Sequence, residues 1–248
     1  MVGSGAARNA AAALGVAAGP GDVIISIGTS GVVSTIADSP IADPTGEVID
    51  FADATGRFLR LAGTPNAARV LDATAHMLGV RHEQFARALS APPGSSGLVV
   101  LPYVEKGSTL AQLRATGVVY GMTEANSTAA HIARATVEGV LCDLAVFLDA
   151  LMLHDGGPRR LLLAGGAARS EAVRQIAPTV FCQPVIIPGT EELGAYGAAR
   201  QAAWALRSAP DPPPWRRAGA QELRSAAVPS IRSRFADARR RFQQALGS

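Results

Sequence analysis

The chain is poor in the residues that mark several common protein classes. Its 248 residues hold only two cysteines, Cys142 and Cys182, far apart and each inside an apolar segment. A disulfide-stapled secreted scaffold is therefore excluded, and buried reduced thiols point to the cytoplasm. Aromatic residues make up only 5% against 48% hydrophobic residues, so the core must be built from small aliphatic side chains. No run of about 18 apolar residues occurs, and no membrane partner is expected. The opening "MVGSGAARNAAAALGV" lacks a basic region followed by a long apolar block, so no signal peptide is read. The four histidines, His76, His82, His131 and His154, show no spacing that would bring two together as metal ligands. No metal site is expected, and surface or helix-packing roles are the simpler reading. Neither a Gly-x-Ser-x-Gly elbow nor a Cys-x-x-Cys pair occurs.

What charge there is does not favour nucleic acid. The isoelectric point is about 9.3, but the net charge is only +3. Much of the excess lies in "PWRRAGAQELRSAAVPSIRSRFADARRRFQQAL", where Arg alternates with Ala, Phe, Glu and Asp. That pattern suits a solvated helix face better than a nucleic-acid arm.

The hydrophobic periodicity predicts alternating strands and helices. "DVIISIG", Asp22 to Gly28, and "GVVSTIA" read as an antiparallel pair across the tight turn Thr29-Ser30-Gly31. "RFLRLAG" from Arg57 is a third strand, and "NAARVLDATAHML" has helical spacing. The loop "SAPPGSSG" leads into the apolar run "LVVLPY". The longest helix lies in "NSTAAHIARATVEGVLCDLAVFLDALML", with Asn126, Ser127 or Thr128 able to cap its start. Strand "RRLLLAG", helix "SEAVRQIAPTVF", strand "QPVIIPG" and helix "LGAYGAARQAAWALRS" follow, until "APDPPPW" breaks the pattern. This order predicts an α/β domain, a mixed sheet with helices on both faces.

Two bends stand out. "LLLAGGAARS" is a buried strand running into Gly165 and Gly166, with Ser170 placed to start a helix. "DVIISIGTSGVVS" is a second apolar strand ending in Gly28, with Thr29 and Ser30 just beyond. Backbone N–H groups freed at the carboxyl edge of a sheet can hold an anion or a flat base. Either bend alone is equally a tight connection with no ligand; the pair is the rarer signal. The pair Glu191-Glu192 precedes a helix and most simply complements its dipole.

Together, "GDVIISIGTSGVV", "LPYVEKGST…GVVYGMTEANSTAAHIARATVEGVLCDLA", "LLLAGGAARSEAVRQIAPTVFCQPVIIP" and "GAYGAARQAAWAL" resemble the C-terminal domain of FGGY-type carbohydrate kinases, nearest to the xylulokinase branch. The resemblance covers nearly all of residues 9 to 240. It implies a ribonuclease H-like, actin/hexokinase-type ATPase domain over 21–208. Residues 1–20 would then be the remnant of an interdomain helix, and 209–248 a Pro-rich linker and basic helical tail. It implies ATP and Mg²⁺ as cofactors, with Gly28, Thr29 and Ser30 at the phosphates. Gly165, Gly166 and Ala167, with Ser170 and Gln175, would hold the adenosine. Asn66 falls near the nucleotide cleft; Glu105 is a further cleft candidate whose role stays open, because "LPYVEKGSTL" departs from the family's Gly-Glu-Arg-Thr-Pro pattern. Gly194 and Gly197 would let the helix after them pack close to the nucleotide.

One expected group is missing. The family carries a catalytic Asp in Gly-x-Gly-Asp-Asn-x-Ala-Ala-Ala-Leu-Gly, whereas this chain reads "GSGAARNAAAALG", with Arg8 at that position and no Asp or Glu before Asp22. An arginine stays protonated and cannot accept a hydroxyl proton, so no catalytic residue is assigned. The resemblance also implies that the sugar-contacting half is not in this chain. A nucleotide is then the expected partner, a sugar joins only when that half is supplied, and a homodimer is admitted.

Overall fold

The computed structural model describes residues 5–80, 82–105, 116–152, 157–189, 192–215 and 219–247. Helix α1 (Arg8–Gly15) precedes β1 (Asp22–Ile27), β2 (Gly31–Ala37), β3 (Ile49–Ala52) and β4 (Phe58–Thr64). Helix α2 (Ala68–Met77), a 3₁₀ segment (His82–Ser90), β5 (Val99–Leu101) and β6 (Val118–Tyr120) lead to the long helix α3 (Ala129–Met152). Then come β7 (Arg160–Ala164), α4 (Glu171–Phe181), β8 (Val185–Ile187), α5 (Leu193–Arg207), β9 (Gln221–Leu223) and α6 (Pro229–Gly247).

Among the described residues the main sheet has seven strands in the order β3-β4-β2-β1-β7-β8-β9, while β5 and β6 form a separate pair. β1 runs antiparallel to β2 and parallel to β7, and β7 runs parallel to β8. The sheet is thus mixed, with the antiparallel strands leading in sequence. Strand alternation separates two cores. Val23, Ile25, Ile27, Leu161 and Leu163 face the larger one, shared with α2, α3, α4 and α6. Ile24, Ile36, Leu59, Leu162 and Ala164 face a smaller one under α1 and α5. A parallel strand pair needs both faces covered, and here both are.

The smaller core explains the alanines and glycines of two helices. α1 crosses α5 so closely that a Cβ on Gly197 would stand 1.7 Å from the Ala11 carbonyl oxygen. Gly197 therefore serves helix–helix contact. Arg200 fixes the crossing by donating through Nη1 to the Leu14 carbonyl at 2.7 Å and through Nε to the Pro213 carbonyl at 2.9 Å.

Three short strands went unread in the sequence. β3 is an outer strand whose Ile49 and Phe51 are exposed, and β6 and β9 span three residues each, too few for a period to register. The 209–248 segment does more than trail. β9 pairs with β8, and α6 buries Ile231, Phe235, Ala238 and Phe242 in the larger core, with Arg234, Arg240 and Arg241 exposed and Arg232 and Arg239 half-buried. Thr128 caps α3, its Oγ1 accepting the His131 N–H at 3.3 Å. Asn126 is instead buried, holding Ser96 and Gly121 carbonyls. Among the described residues no helix is long and apolar enough to cross a membrane.

Candidate functional site

The parallel pairing of β1 with β7 sets Ser26 beside Ala164, so the two glycine bends leave the same sheet edge side by side. They touch. Gly165 has φ +91°, and a Cβ there would meet the Ile27 carbonyl oxygen at 2.6 Å. Only glycine satisfies both the dihedral and the approach. In the first bend the Gly28 N–H donates to the Ser30 carbonyl at 3.0 Å, and the Ala68 N–H at the start of α2 donates to the Gly28 carbonyl at 3.0 Å. That pins the loop and presents Thr29 and Ser30, both exposed, outward. In the second bend a Cβ on Gly166 would meet nothing within 4 Å, so the surface above it is open. Ala167 is buried beneath, and its carbonyl accepts the Ser170 N–H at 3.0 Å just before α4.

Asn66 and Glu105 are brought together as well. The Asn66 amide is buried and clamps the backbone of Glu105 in both directions, donating from Nδ2 to its carbonyl at 2.8 Å and accepting its N–H at 2.7 Å. The Glu105 carboxylate pairs with Arg69 at 2.8 Å. Asn66 thus holds the 105 segment against the start of α2, two residues before the one bonded to Gly28. Gln175 lies apart from this group. It donates to Glu171 at 2.9 Å and lines a separate groove with Pro92, Pro93 and Arg134.

A cleft of about 550 Å³ opens between α1, the start of α5 and the sheet. Gly165, Ser26, Ser34, Arg8, Asn9 and Glu192 line it. Ser26 and Ser34 share one face of the β1–β2 hairpin; the signal for them was two hydroxyls within otherwise apolar strands. On the other side of Gly165 a second cleft of about 240 Å³ is lined by Arg169, Arg174, Ile187, Pro188 and Gly189. Ile187 ends β8, and Pro188 and Gly189 follow it at the same sheet edge, which the parallel-strand rule could have flagged.

Beneath the clamp lies a buried carboxylate. Asp143, in the middle of α3, has the one buried side-chain oxygen or nitrogen among the described residues without a hydrogen-bond partner, its Oδ2. Burial pushes this carboxyl up to about 6, against the pull of the Arg239 charge and of hydrogen bonds from Thr64 and Tyr103. At the opposite sheet edge Asp22 behaves in the reverse way. Burial alone would raise it, but hydrogen bonds from Arg160 and the Gly19 N–H, with the charges of Arg160 and Arg159, hold it below the usual carboxylate range. Of the histidines, His76 is exposed and His131 bonds Thr128 and Ser96. The His82 side chain, His154 and Glu191 lie outside the described residues. No cluster of three metal-ligating side chains occurs among the described residues.

Residues 23–206 match the profile of the FGGY family of carbohydrate kinases, C-terminal domain. The chain belongs to that family. The xylulose kinase of Streptomyces rubiginosus is 37% identical over 207 residues, 83% of this chain and 41% of that protein. The gluconokinase of Bacillus subtilis is 30% identical over 194 residues, 72% of this chain and 37% of its own length. Among solved structures, the xylulose kinase from Bifidobacterium adolescentis superposes with a TM-score of 0.83 at 40% identity, over 96% of this chain and 47% of that one. The glycerol kinase of Plasmodium falciparum, solved with ADP, shares the fold at 17% identity, with a TM-score of 0.78. This FGGY chain therefore has the mixed-sheet, actin/hexokinase-type fold of the sugar kinases, and it spans less than half the length of the curated relatives named here.

Proposed function

We propose that this chain is the ATP-binding half of a xylulokinase-like sugar kinase. In the whole enzyme the γ-phosphoryl group of ATP would pass to D-xylulose, giving ADP and xylulose 5-phosphate. The observation that carries the reading is the contact of the two bends, Gly165 seated on the Ile27 backbone at the carboxyl edge of parallel strands. There Gly28, Thr29 and Ser30 would hold phosphate oxygens, and Gly165 to Ser170 the adenosine. Residues 21–208 would be the nucleotide-binding unit, with 1–20 and 209–248 as its flanks. The 37% identity to the Streptomyces xylulose kinases, against 30% to the Bacillus subtilis gluconokinase, supports the choice of sugar.

Mg²⁺ fits only as a companion of the nucleotide. Glu192 is the one carboxylate among the described residues lining the larger cleft, and Mg²⁺ is ordinarily held by phosphates, waters and one or two carboxylates. It would offset charge on the transferring group, while the chain's own part is to position the nucleotide.

A second reading is favoured by Arg8, which lines the cleft where the family carries its Asp. With arginine in place of the carboxylate that would take the hydroxyl proton at that position, the chain by itself would be a nucleotide-binding or interaction module without turnover. The test is a coupled assay of the purified chain with MgATP and D-xylulose, alongside calorimetric titration with ATP. Binding without turnover is expected. Robust turnover refutes the inactive reading, and no ATP binding at millimolar levels refutes the nucleotide site.

A further inference from the structure

Arg8 is the first residue of α1, and no acidic residue occupies the first turn of that helix. The stem of Arg8 runs along Gly194 at the start of α5, its Cγ 3.9 Å from where a Gly194 Cβ would stand. The side chain is exposed and lines the 550 Å³ cleft together with Gly165, Ser26 and Ser34. Among the described residues it makes no ion pair or side-chain hydrogen bond. Several buried or half-buried arginines are engaged: Arg200 with backbone carbonyls, Arg160 with Asp22, Arg134 with Glu138. Glu192 lies on the same cleft wall and does not pair with Arg8.

Apart from Arg8 and Glu192, the described residues that line the cleft carry no charge. Ala6, Ala11, Ala12, Ala195 and Ala198 are small and apolar, and the two serines offer hydroxyls that can donate to an oxyanion. An unpaired guanidinium in a cleft that Ser26, Ser34 and the Gly165 bend also line is a receptor for a phosphate oxygen.

We propose that Arg8 is an anion-binding residue of this cleft, whose guanidinium takes the terminal phosphate of a nucleotide seated on the Gly165 bend. This rests on the nucleotide reading above and deepens it. A residue that ends proton abstraction at this position would then tighten nucleotide retention. The contact is charge-assisted and positioned away from the base, so it acts on the phosphate chain alone.

The test compares wild type with Arg8→Gln and Arg8→Asp by calorimetric titration with ATP, ADP, adenosine and inorganic tripolyphosphate, all without Mg²⁺. Expected is a loss of about 10-fold in ATP affinity for Arg8→Gln and a larger loss for Arg8→Asp. ADP should lose less than ATP, and adenosine should bind all three proteins equally, which also reports that the variants are folded. Tripolyphosphate affinity that falls in parallel with ATP supports the phosphate chain as the group held. If ATP binds wild type and Arg8→Gln with affinities within about twofold, this inference falls and the nucleotide site stands. If wild type binds neither ATP nor adenosine at millimolar concentration, both fall together.

Discussion

Replacing Asp143 with asparagine is the most informative single change to the core. The wild-type carboxyl is buried, has an unpartnered Oδ2 and is pushed up to about 6. In the unfolded chain it titrates near the ordinary aspartate value of about 3.9. Below about pH 4 both states hold the proton and the site costs nothing. Between about pH 4 and 6 the unfolded chain ionises while the folded one keeps its proton, so folding stability falls as pH rises. Above pH 6 the loss stays constant, at about 3 kcal/mol from the distance between the two values.

Asparagine keeps the shape and an acceptor for the Tyr103 and Thr64 hydroxyls but cannot ionise. Asp143→Asn should therefore stabilise the protein at pH 7.5 by about 2–3 kcal/mol, raising Tm by about 4–12 °C for a chain of this size. The gain should vanish at pH 4. Urea melts of both proteins at half-unit steps from pH 4 to 8 measure it. A variant less stable than wild type at pH 7.5, or an advantage that does not change with pH, would refute the burial argument. It would mean the carboxylate is well partnered in the folded state.

Asp22 should behave oppositely: its carboxyl is held low, so the stability it contributes is present above the usual aspartate value and is lost as pH falls through its folded value. Asp22→Asn should lower the urea midpoint at pH 7, since it leaves two guanidinium groups without their shared partner, and the gap should close as pH falls through the lowered folded value. Gly197→Ala places a methyl group 1.7 Å from the Ala11 carbonyl oxygen and should cost about 1–3 kcal/mol or undock α1, read as a lower Tm with new protease cleavage near residue 16. Gly165→Ala faces both a +91° dihedral and a 2.6 Å approach to Ile27; ATP affinity should fall at least 10-fold or be lost, and a variant binding ATP as wild type does would contradict the account.

How far the sequence announced this site depends on the length of the signal. The β1–β2 hairpin and the 24-residue α3 repeat their pattern often enough to be read, and so do the two bends that punctuate long apolar strands. Adjacency of those bends was implied by the family resemblance and not by the residues themselves, because it depends on β1 and β7 pairing across the 137 residues between Ile27 and Gly165. The Asn66–Glu105 clamp joins residues 39 apart through backbone atoms, which no side-chain pattern records. The resemblance grouped Gln175 with Gly165, yet its place on α4 carries it round to another groove. The apolar face of α6 was masked by its arginines, since Ile231, Phe235, Ala238 and Phe242 recur at helical spacing among five arginines and Asp237.

The most direct test of the central claim is hydrogen exchange of the chain with and without millimolar ATP. The account predicts slowed exchange at both bends at once, residues 28–31 and 165–170, with the opposite sheet edge around Asp22 unchanged. Protection at neither bend, or at one of them alone, would contradict a nucleotide gripped between the two.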